Sequence, residues 1–197
     1  MKNLCVFCGS SFGSDTKYAQ AAEHLGTIIA ERNLGLVYGG GRVGLMGEIA
    51  DTVIKAKGHV IGVIPKQLHE REVSHNGISD LRVVDSMHER KALMAELSDG
   101  FIAMPGGFGT IEEIFEVITW AQLNFHNKPC GLLNINGYYD NLIKFMDNAV
   151  KEKFIEPENR AMILIDEEPE TLLEKMMNYA PPKVDKAKWV LDMLNNK

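Results

Sequence analysis

The stretch Pro105-Gly106-Gly107-Phe108-Gly109-Thr110-Ile111-Glu112-Glu113 determines the fold expected for this chain. Residues 101–104 before it are apolar, as in a buried strand, and residues 111–125 after it predict a helix. The glycines therefore lie at a turn from strand to helix, where bare N–H groups and the positive end of a helix dipole can bind a phosphate. The same turn carries two carboxylates, which suggests chemistry on a phosphorylated small molecule.

This turn also has a purely structural interpretation. Glycines permit tight turns, and residues 110–113 fit a capping box with Thr110 at the N-cap and Glu113 three residues later. Three glycines in four positions, and a second glycine turn after another predicted strand, favour the phosphate interpretation.

Composition restricts the class of protein. A chain of 197 residues suits a single domain over 1–197, and a net charge of -6 argues against a broad nucleic-acid-binding surface. We find no secretory leader and no apolar run near the ~18 residues of a membrane span. Three cysteines do not make a disulfide framework. We expect a cytoplasmic protein with neither a nucleic-acid nor a membrane partner.

Strand-like and helical segments alternate along the chain. Strands are predicted at residues 4–7, 36–38, 60–64, 81–84, 101–104, 131–133 and 162–165. Helices are predicted from Ser14 or Asp15 to 32, then at 45–57 (ended by Gly58), 86–97, 110–125, 138–151, 171–178 and 186–194, with 66–80 irregular. This alternation predicts an α/β fold: a Rossmann-like, doubly wound parallel sheet with helices on both faces.

Ligands of such sheets bind at the carboxyl ends of the strands. The turns after predicted strands one, two, four and five are small or polar: residues 8–11, 39–41, 86–90 and 105–110. In the usual strand order, strands one and four flank the switch point. We therefore expect these turns to converge on one ligand.

The second glycine turn, Gly39-Gly40-Gly41-Arg42-Val43-Gly44, has the spacing of a dinucleotide fingerprint. It follows the second strand, however, and lacks the expected acidic residue after the next one. Neither glycine turn is followed by a Walker lysine. We interpret Gly40 and Gly41 as a close-approach turn for a mononucleotide.

Arg90 lies on an apolar helical stripe with Met87, Leu93, Met94 and Leu97. Arginine is rarely buried without a partner. It is either a snorkelling side chain at the helix start or a charge that faces Glu113 or a ligand phosphate.

Cys5 and Cys8 have the spacing of a metal or redox pair, but a strand directs them to opposite faces. The histidines show no ligand spacing. We predict no metal site.

Residues 110–125 are apolar around most of the helix, with a narrow polar strip at Glu112, Glu116 and Thr119. Such a helix usually packs on two sides. We expect a second chain against it in a homodimer. The alternative is cover by C-terminal helices of the same chain.

The 105–113 stretch matches a PGGxGTxxE signature, and the chain resembles the Lonely Guy family, cytokinin riboside 5'-monophosphate phosphoribohydrolases formerly labelled lysine decarboxylase-like. Further motifs at family spacing are Cys8–Ser11, Tyr38–Gly41, Gly44–Gly47, Met87–Lys91 and Trp120–Gln122.

The resemblance implies a Rossmann-like dimer that hydrolyses the N-glycosidic bond of a nucleoside 5'-monophosphate, giving a free base and ribose 5-phosphate without a cofactor. It implies catalysis by Arg90 and Glu113. It implies substrate contacts at Glu72, Lys91, Gly107, Phe108, Gly109, Thr110, Ile111, Glu112 and Thr119, to which we add Met87, Gly106, Gly40 and Gly41.

In this hypothesis Glu113 stabilises the cationic sugar or orients water, and Arg90 keeps Glu113 charged by lowering its pKa. A nucleotide-like cofactor carrier remains the alternative. Lysine decarboxylation is disfavoured, since it needs a pyridoxal phosphate lysine and the glycine turn has none.

Overall fold

The computed structural model describes residues 1–70, 74–75 and 77–182. The strands are β1 (Asn3–Phe7), β2 (Gly35–Tyr38), β3 (His59–Pro65), β4 (Asp80–Val84), β5 (Gly100–Ala103), β6 (Cys130–Leu133) and β7 (Ile163–Asp166). The helices are α1 (Thr16–Glu31), α2 (Gly44–Lys55), α3 (Lys66–His69), α4 (Met87–Leu97), α5 (Phe108–Gln122), α6 (Asp140–Lys151), α7 (Pro157–Ala161) and α8 (Pro169–Met177), with a 3₁₀ helix η1 (Ile135–Gly137).

The strands form one parallel sheet in the order β4-β3-β2-β1-β5-β6-β7. One buried cluster joins the sheet to α1, α2 and α8, and the other joins it to α4, α5 and α6. Both faces are covered because strand side chains alternate: Leu4 lies in the first cluster and Cys5 in the second. The predicted α/β, doubly wound fold is confirmed, and so are the opposite faces of Cys5 and Cys8.

The predicted switch point was wrong. β1 pairs with β5 and not with the fourth strand, because β4 pairs with the outer side of β3 before the chain crosses back through α4. The centre of the sheet therefore places the turn after β1 beside the turn after β5. These are the Cys8–Ser11 and Pro105–Thr110 turns of the sequence.

Local signals set most helix ends, with some corrections. Asp15, and not Ser14, caps α1, its carboxylate accepting from Lys17 N–H at 2.9 Å. After α2 the left-handed residue is Lys57 (φ 61°), so Gly58 is not the residue that turns the chain. Gly58 N–H instead bonds Val53 O at 2.8 Å, which completes a Schellman motif.

Several elements differ from the expectation. α3 interrupts the segment expected to be irregular, η1 precedes α6, and α7 and the first turn of α8 begin at prolines. The predicted helix over 186–194 lies outside the described residues. No helix in the described ranges is both long and apolar enough to cross a membrane.

Candidate active site

The site forms where the turns after β1 and β5 touch. Gly9 N–H donates to Pro105 O at 3.0 Å, and a Cβ on Gly106 would lie 2.9 Å from Gly9 N. A Cβ on Gly44, at the start of α2, would collide with the Ser10–Ser11 backbone. Glycine is therefore required for close packing of backbone on backbone here, which brings three loops to one point of the carboxyl edge.

The glycine turn opens into the start of α5. Gly107 is the N-cap, with extended backbone (φ -89°, ψ -155°). Among the described residues, no acceptor binds the N–H groups of Phe108, Gly109 and Thr110. A Cβ on Gly107 or Gly109 would meet no atom within 4 Å, so this backbone faces open space. Free amides at the positive end of a helix make an anion-binding cradle, which fits a phosphate.

The structure rules out the capping box that was the alternative interpretation of this turn, and it corrects the predicted start of the helix at Thr110. Thr110 is the third residue of α5, it is buried, and no side chain caps the helix. Gly107 lets the helix begin two residues before Thr110. Glu113, whose carboxylate would cap the helix in that alternative, binds Arg90.

The pair formed by Arg90 and Glu113 is the buried charge pair of the site. Each residue is 8% exposed, and Arg90 Nη1 donates to Glu113 Oε1. Arg90 Nε also donates to Val63 O at 3.1 Å. The two interpretations of Arg90 left open by helical geometry are thus resolved: it is buried and faces Glu113.

The start of α4 holds Arg90 in place. Ser86 caps the helix by accepting from Glu89 N–H at 3.1 Å, and Glu89 reaches back to Asp85 N–H at 2.9 Å. Arg90 N–H then makes the first bond of the helix, to Ser86 O at 3.1 Å. The cap therefore fixes the turn from which the guanidinium extends under the sheet edge.

Glu113 departs from the expected electrostatics. Burial raises the pKa of Glu113 above its ordinary value of 4.5, and the Arg90 guanidinium offsets this only in part. Arg90 lowers this pKa as expected, but the expected net lowering was wrong, because removal of a carboxylate from water outweighs the effect of one neighbouring charge here. Burial also raises the pKa of the Cys8 thiol at the end of β1, which leaves that thiol neutral.

The absence of a side chain at Gly39 leaves room for the Arg90 guanidinium. A Cβ at this position would collide with Arg90 Nη2 and lie 3.3 Å from Met46 Sδ. The guanidinium cannot easily yield, since Glu113 and Val63 hold it. The first glycine of the second turn thus accommodates a protein side chain.

We expect Gly39→Ala to lower kcat about 10- to 100-fold, because the new methyl group displaces the Arg90 guanidinium from Glu113. Overpacking should destabilise the fold by only about 1–3 kcal/mol. Steady-state kinetics and thermal unfolding measure the two effects. Gly131→Ala in β6 is the control, since its Cβ would crowd Leu172 at 3.1 Å, away from the site. Equal loss of activity in both variants would contradict this role.

A second charged cluster lies beside the pair. Lys91 Nζ donates to Glu112 and, at 3.1 Å, to Glu116. The hydrogen bond to Glu112 raises the pKa of Lys91 despite partial desolvation. Lys91 is therefore a fixed cation next to the helix start, and both carboxylates belong to the predicted polar strip.

Of the other predicted site residues, three lie at the starts of α4 and α5, and two lie in the second glycine turn. Phe108 is 97% exposed beside the cradle, Met87 is exposed at the start of α4, and Ile111 is half-buried on the first turn of α5. Gly40 and Gly41 follow Gly39 and bond to another loop: Gly40 O accepts from His75 N–H at 2.9 Å, and Gly41 bridges to Ser74.

One predicted contact, Thr119, is not brought to the cradle. Thr119 is exposed and lies about 14 Å along α5 from Thr110, by the helical rise. Its hydroxyl donates to Phe115 O at 2.7 Å. Glu72 lies outside the described residues.

Sequence reasoning missed several residues that support the site. Val63 and Gly39 contact Arg90, and Tyr138 donates to Gly106 O at 2.6 Å. Tyr138 follows β6 at the carboxyl edge, so its place in the strand-turn pattern was an available signal. The glycine turn at Gly39 was visible in the sequence, but the contacts of Gly39 and Val63 with Arg90 were not, because they join elements distant in sequence.

The fold and site together define a Rossmann-like protein with an anion-binding cradle beside a buried arginine–glutamate pair. Residues 46–176 match the family described as "Possible lysine decarboxylase". Probable cytokinin riboside 5'-monophosphate phosphoribohydrolase LOGL2 of Oryza sativa subsp. japonica is 49% identical over 98% of this chain and 81% of its own. Cytokinin riboside 5'-monophosphate phosphoribohydrolase LOG1 of Arabidopsis thaliana is 52% identical over 91% and 84%. The chain belongs to the Lonely Guy (LOG) family.

Solved structures resemble the chain in fold. The molybdenum cofactor binding protein from the phototrophic bacterium Rippkaea orientalis superposes with a TM-score of 0.68 at 22% identity, over 90% of this chain and 97% of its own. The molybdenum cofactor carrier protein from Chlamydomonas reinhardtii gives 0.67 at 19% identity, over 90% and 99%.

The residues do not fit the decarboxylase description. A pyridoxal phosphate lysine must lose its proton to act as a nucleophile, whereas Lys91 is paired with two carboxylates and its pKa is raised. The cradle itself, Gly106–Thr110, contains no lysine.

Proposed function

We propose that the protein hydrolyses the N-glycosidic bond of a nucleoside 5'-monophosphate, AMP or a cytokinin ribotide, to the free base and ribose 5-phosphate. The buried Arg90–Glu113 pair beside the amide cradle is the observation that carries this proposal. The names of the relatives, at about half identity over most of the chain, support the same reaction.

The cradle binds the phosphate end of the substrate. The 5'-phosphate accepts hydrogen bonds from the N–H groups of Gly107 to Thr110, which are charge-assisted and lie in the positive field of α5. Phosphate bound there points the ribose toward the second turn of the helix. Glu113 is on that turn, three residues after Thr110.

Glu113 supplies the negative charge that the reaction needs. Departure of the base leaves positive charge on the anomeric carbon, as in glycoside hydrolysis, and a buried carboxylate stabilises this charge more than one in water. Water adds its hydroxyl to that carbon, and the base leaves with a proton. Arg90 holds the carboxylate in position.

A carrier of a nucleotide-like cofactor is the second candidate. Its support is the fold that this chain shares with the molybdenum cofactor binding and carrier proteins. Binding alone needs the cradle but not a buried carboxylate, so the Arg90–Glu113 pair favours the hydrolase.

Incubation with AMP and with cytokinin ribotides, followed by chromatography, separates these functions. The hydrolase releases free base. A carrier returns the nucleotide intact. The bound nucleotide then raises the free energy of unfolding, by about 2.7 kcal/mol at a nucleotide concentration a hundredfold above Kd.

The raised pKa of Glu113 predicts the acid limb of the pH profile. We expect kcat/KM to fall, as pH decreases, around a pKa above the ordinary value of 4.5, because protonated Glu113 cannot stabilise the sugar cation. The folded pKa exceeds the unfolded one, so protonation of this group favours the fold. The loss should therefore occur in folded protein, as circular dichroism at each pH can verify. An acid limb at or below 4.5 would contradict the assignment.

We further propose a cytoplasmic homodimer. On and near α5, Phe108, Leu123 and Phe125 are exposed apolar residues. The alternative of cover by the C-terminal helices is wrong for α8, which packs against α1 on the opposite face. Sedimentation should give twice the 22.0 kDa chain mass.

The cytoplasmic location is supported by three free, buried cysteines.

A further inference from the structure

A tyrosine from the next strand-to-helix connection binds the cradle. Tyr138 Oη donates to Gly106 O at 2.6 Å. Helix α5 does not use this carbonyl, because its first N-terminal bond runs from Ile111 N–H to Gly107 O at 3.1 Å. In the described residues, Tyr138 is thus the hydrogen-bond partner of the Gly106 carbonyl.

This bond fixes the direction of an amide proton. The Gly106 carbonyl and the Gly107 N–H belong to one trans peptide plane, where they point in opposite directions. A donor that holds the carbonyl on one side therefore directs the N–H to the other. It also polarises the amide, which strengthens that N–H as a donor. Two adjacent glycines would otherwise leave this plane free to rotate.

Tyr138 is itself well anchored. Tyr139 N–H donates to Asn134 Oδ1 at 2.7 Å, and the buried Tyr139 hydroxyl donates to Met104 O at 2.6 Å. The Tyr138 ring packs edge-on against Tyr18, with centroids 5.8 Å apart. The hydroxyl groups of the two consecutive tyrosines thus donate to carbonyls at both ends of the Met104–Gly106 segment. Tyr139 does so from the core, and Tyr138 does so from the partly exposed edge of the site.

We propose that Tyr138 is a positioning residue for phosphate recognition, acting through the Gly106–Gly107 peptide on the N–H of Gly107. The identity of the phosphate as that of a nucleotide rests on the proposed function. Tyr138 strengthens binding equally in the ground state and the transition state, since the phosphate does not react.

The test is Tyr138→Phe, which removes only the hydroxyl. We expect KM for AMP and Kd for ribose 5-phosphate to rise about 5- to 10-fold, as for loss of one supporting hydrogen bond, with kcat within about twofold. Kd for adenosine, which has no phosphate, should not change. Calorimetry and steady-state kinetics give these values.

Tyr18→Phe is the matched control, because it removes a hydroxyl from the same aromatic pair but not the bond to Gly106. Tyr18→Phe should not change KM for AMP or Kd for ribose 5-phosphate and adenosine. Tyr138→Phe would overturn the proposal if it weakened adenosine and ribose 5-phosphate equally, or if it weakened neither.

The two proposals fail separately. Wild-type protein that binds AMP without cleaving it would overturn the hydrolase, and the ratio of ribose 5-phosphate to adenosine binding would still decide the role of Tyr138. Wild-type protein that binds neither AMP nor ribose 5-phosphate would overturn both.

Discussion

Glu113→Gln is expected to reduce turnover of AMP at least about 10³-fold while the nucleotide still binds. The amide has the size of the carboxylate and can accept from Arg90, but it carries no charge to oppose the cation on the ribose. Because the phosphate cradle lies one turn away and is intact, KM should change much less than kcat. Single-turnover release of base, with calorimetric binding of AMP, separates the two quantities.

The neighbouring carboxylate provides a control. Glu112 is about half exposed and pairs with Lys91, not with Arg90. Glu112→Gln should therefore lower kcat less than about 10-fold, because a solvated carboxylate stabilises a cation weakly. Comparable losses in the two variants, or near-native turnover of Glu113→Gln, would contradict the assignment of Glu113 as the catalytic carboxylate.

Arg90→Ala is expected to lose both activity and stability. Glu113 is then buried without a counter-charge, and removal of one partner of a buried ion pair typically destabilises by about 3–5 kcal/mol. The pKa of Glu113 should rise further, so that it is protonated over more of the pH range. Turnover of AMP at neutral pH should fall about 10²-fold or more. Urea unfolding and kinetics measure both effects.

A double variant tests the reason for this instability. Arg90→Ala with Glu113→Gln removes both charges and should recover part of the stability lost in Arg90→Ala, without recovery of activity. Arg82→Ala in β4 is the surface control, because the side chains of the Arg82–Asp80 pair are 39% and 35% exposed and its loss should cost at most about 1 kcal/mol. Equal unfolding free energies for Arg90→Ala and the double variant would show that no buried charge was left unpaired.

The two charge pairs of the site show where sequence reasoning stopped. Helical spacing placed Arg90 on an apolar stripe and Glu113 on the first turns of α5, but it left the partner of Arg90 open. A buried pair between α4 and α5 depends on how both helices pack on the sheet, which no local pattern encodes. The strip of Glu112 and Glu116 was visible in sequence, whereas their shared partner Lys91 was not identified.

The same distinction explains the corrected expectations. The helix was predicted to start at Thr110, where a capping box also fits the local pattern, yet the helix starts after Gly107 and Glu113 binds Arg90. The switch point was misplaced because a hydrophobic run predicts a strand but not the edge on which that strand pairs. The pKa of Glu113 required the depth of burial, which is a property of the assembled core.

The alternation of strands and helices, the faces of Cys5 and Cys8, and the glycine turn before α5 could be predicted from the sequence, since each depends on residues within one or two turns of the chain. Three contacts required the packed fold: β5 lies beside β1, Arg90 is buried against Glu113, and Tyr138 donates to Gly106 O. These contacts join residues 23 to more than 90 positions apart. Their energies come from burial and shared geometry, which exist only once the sheet and its helices are packed.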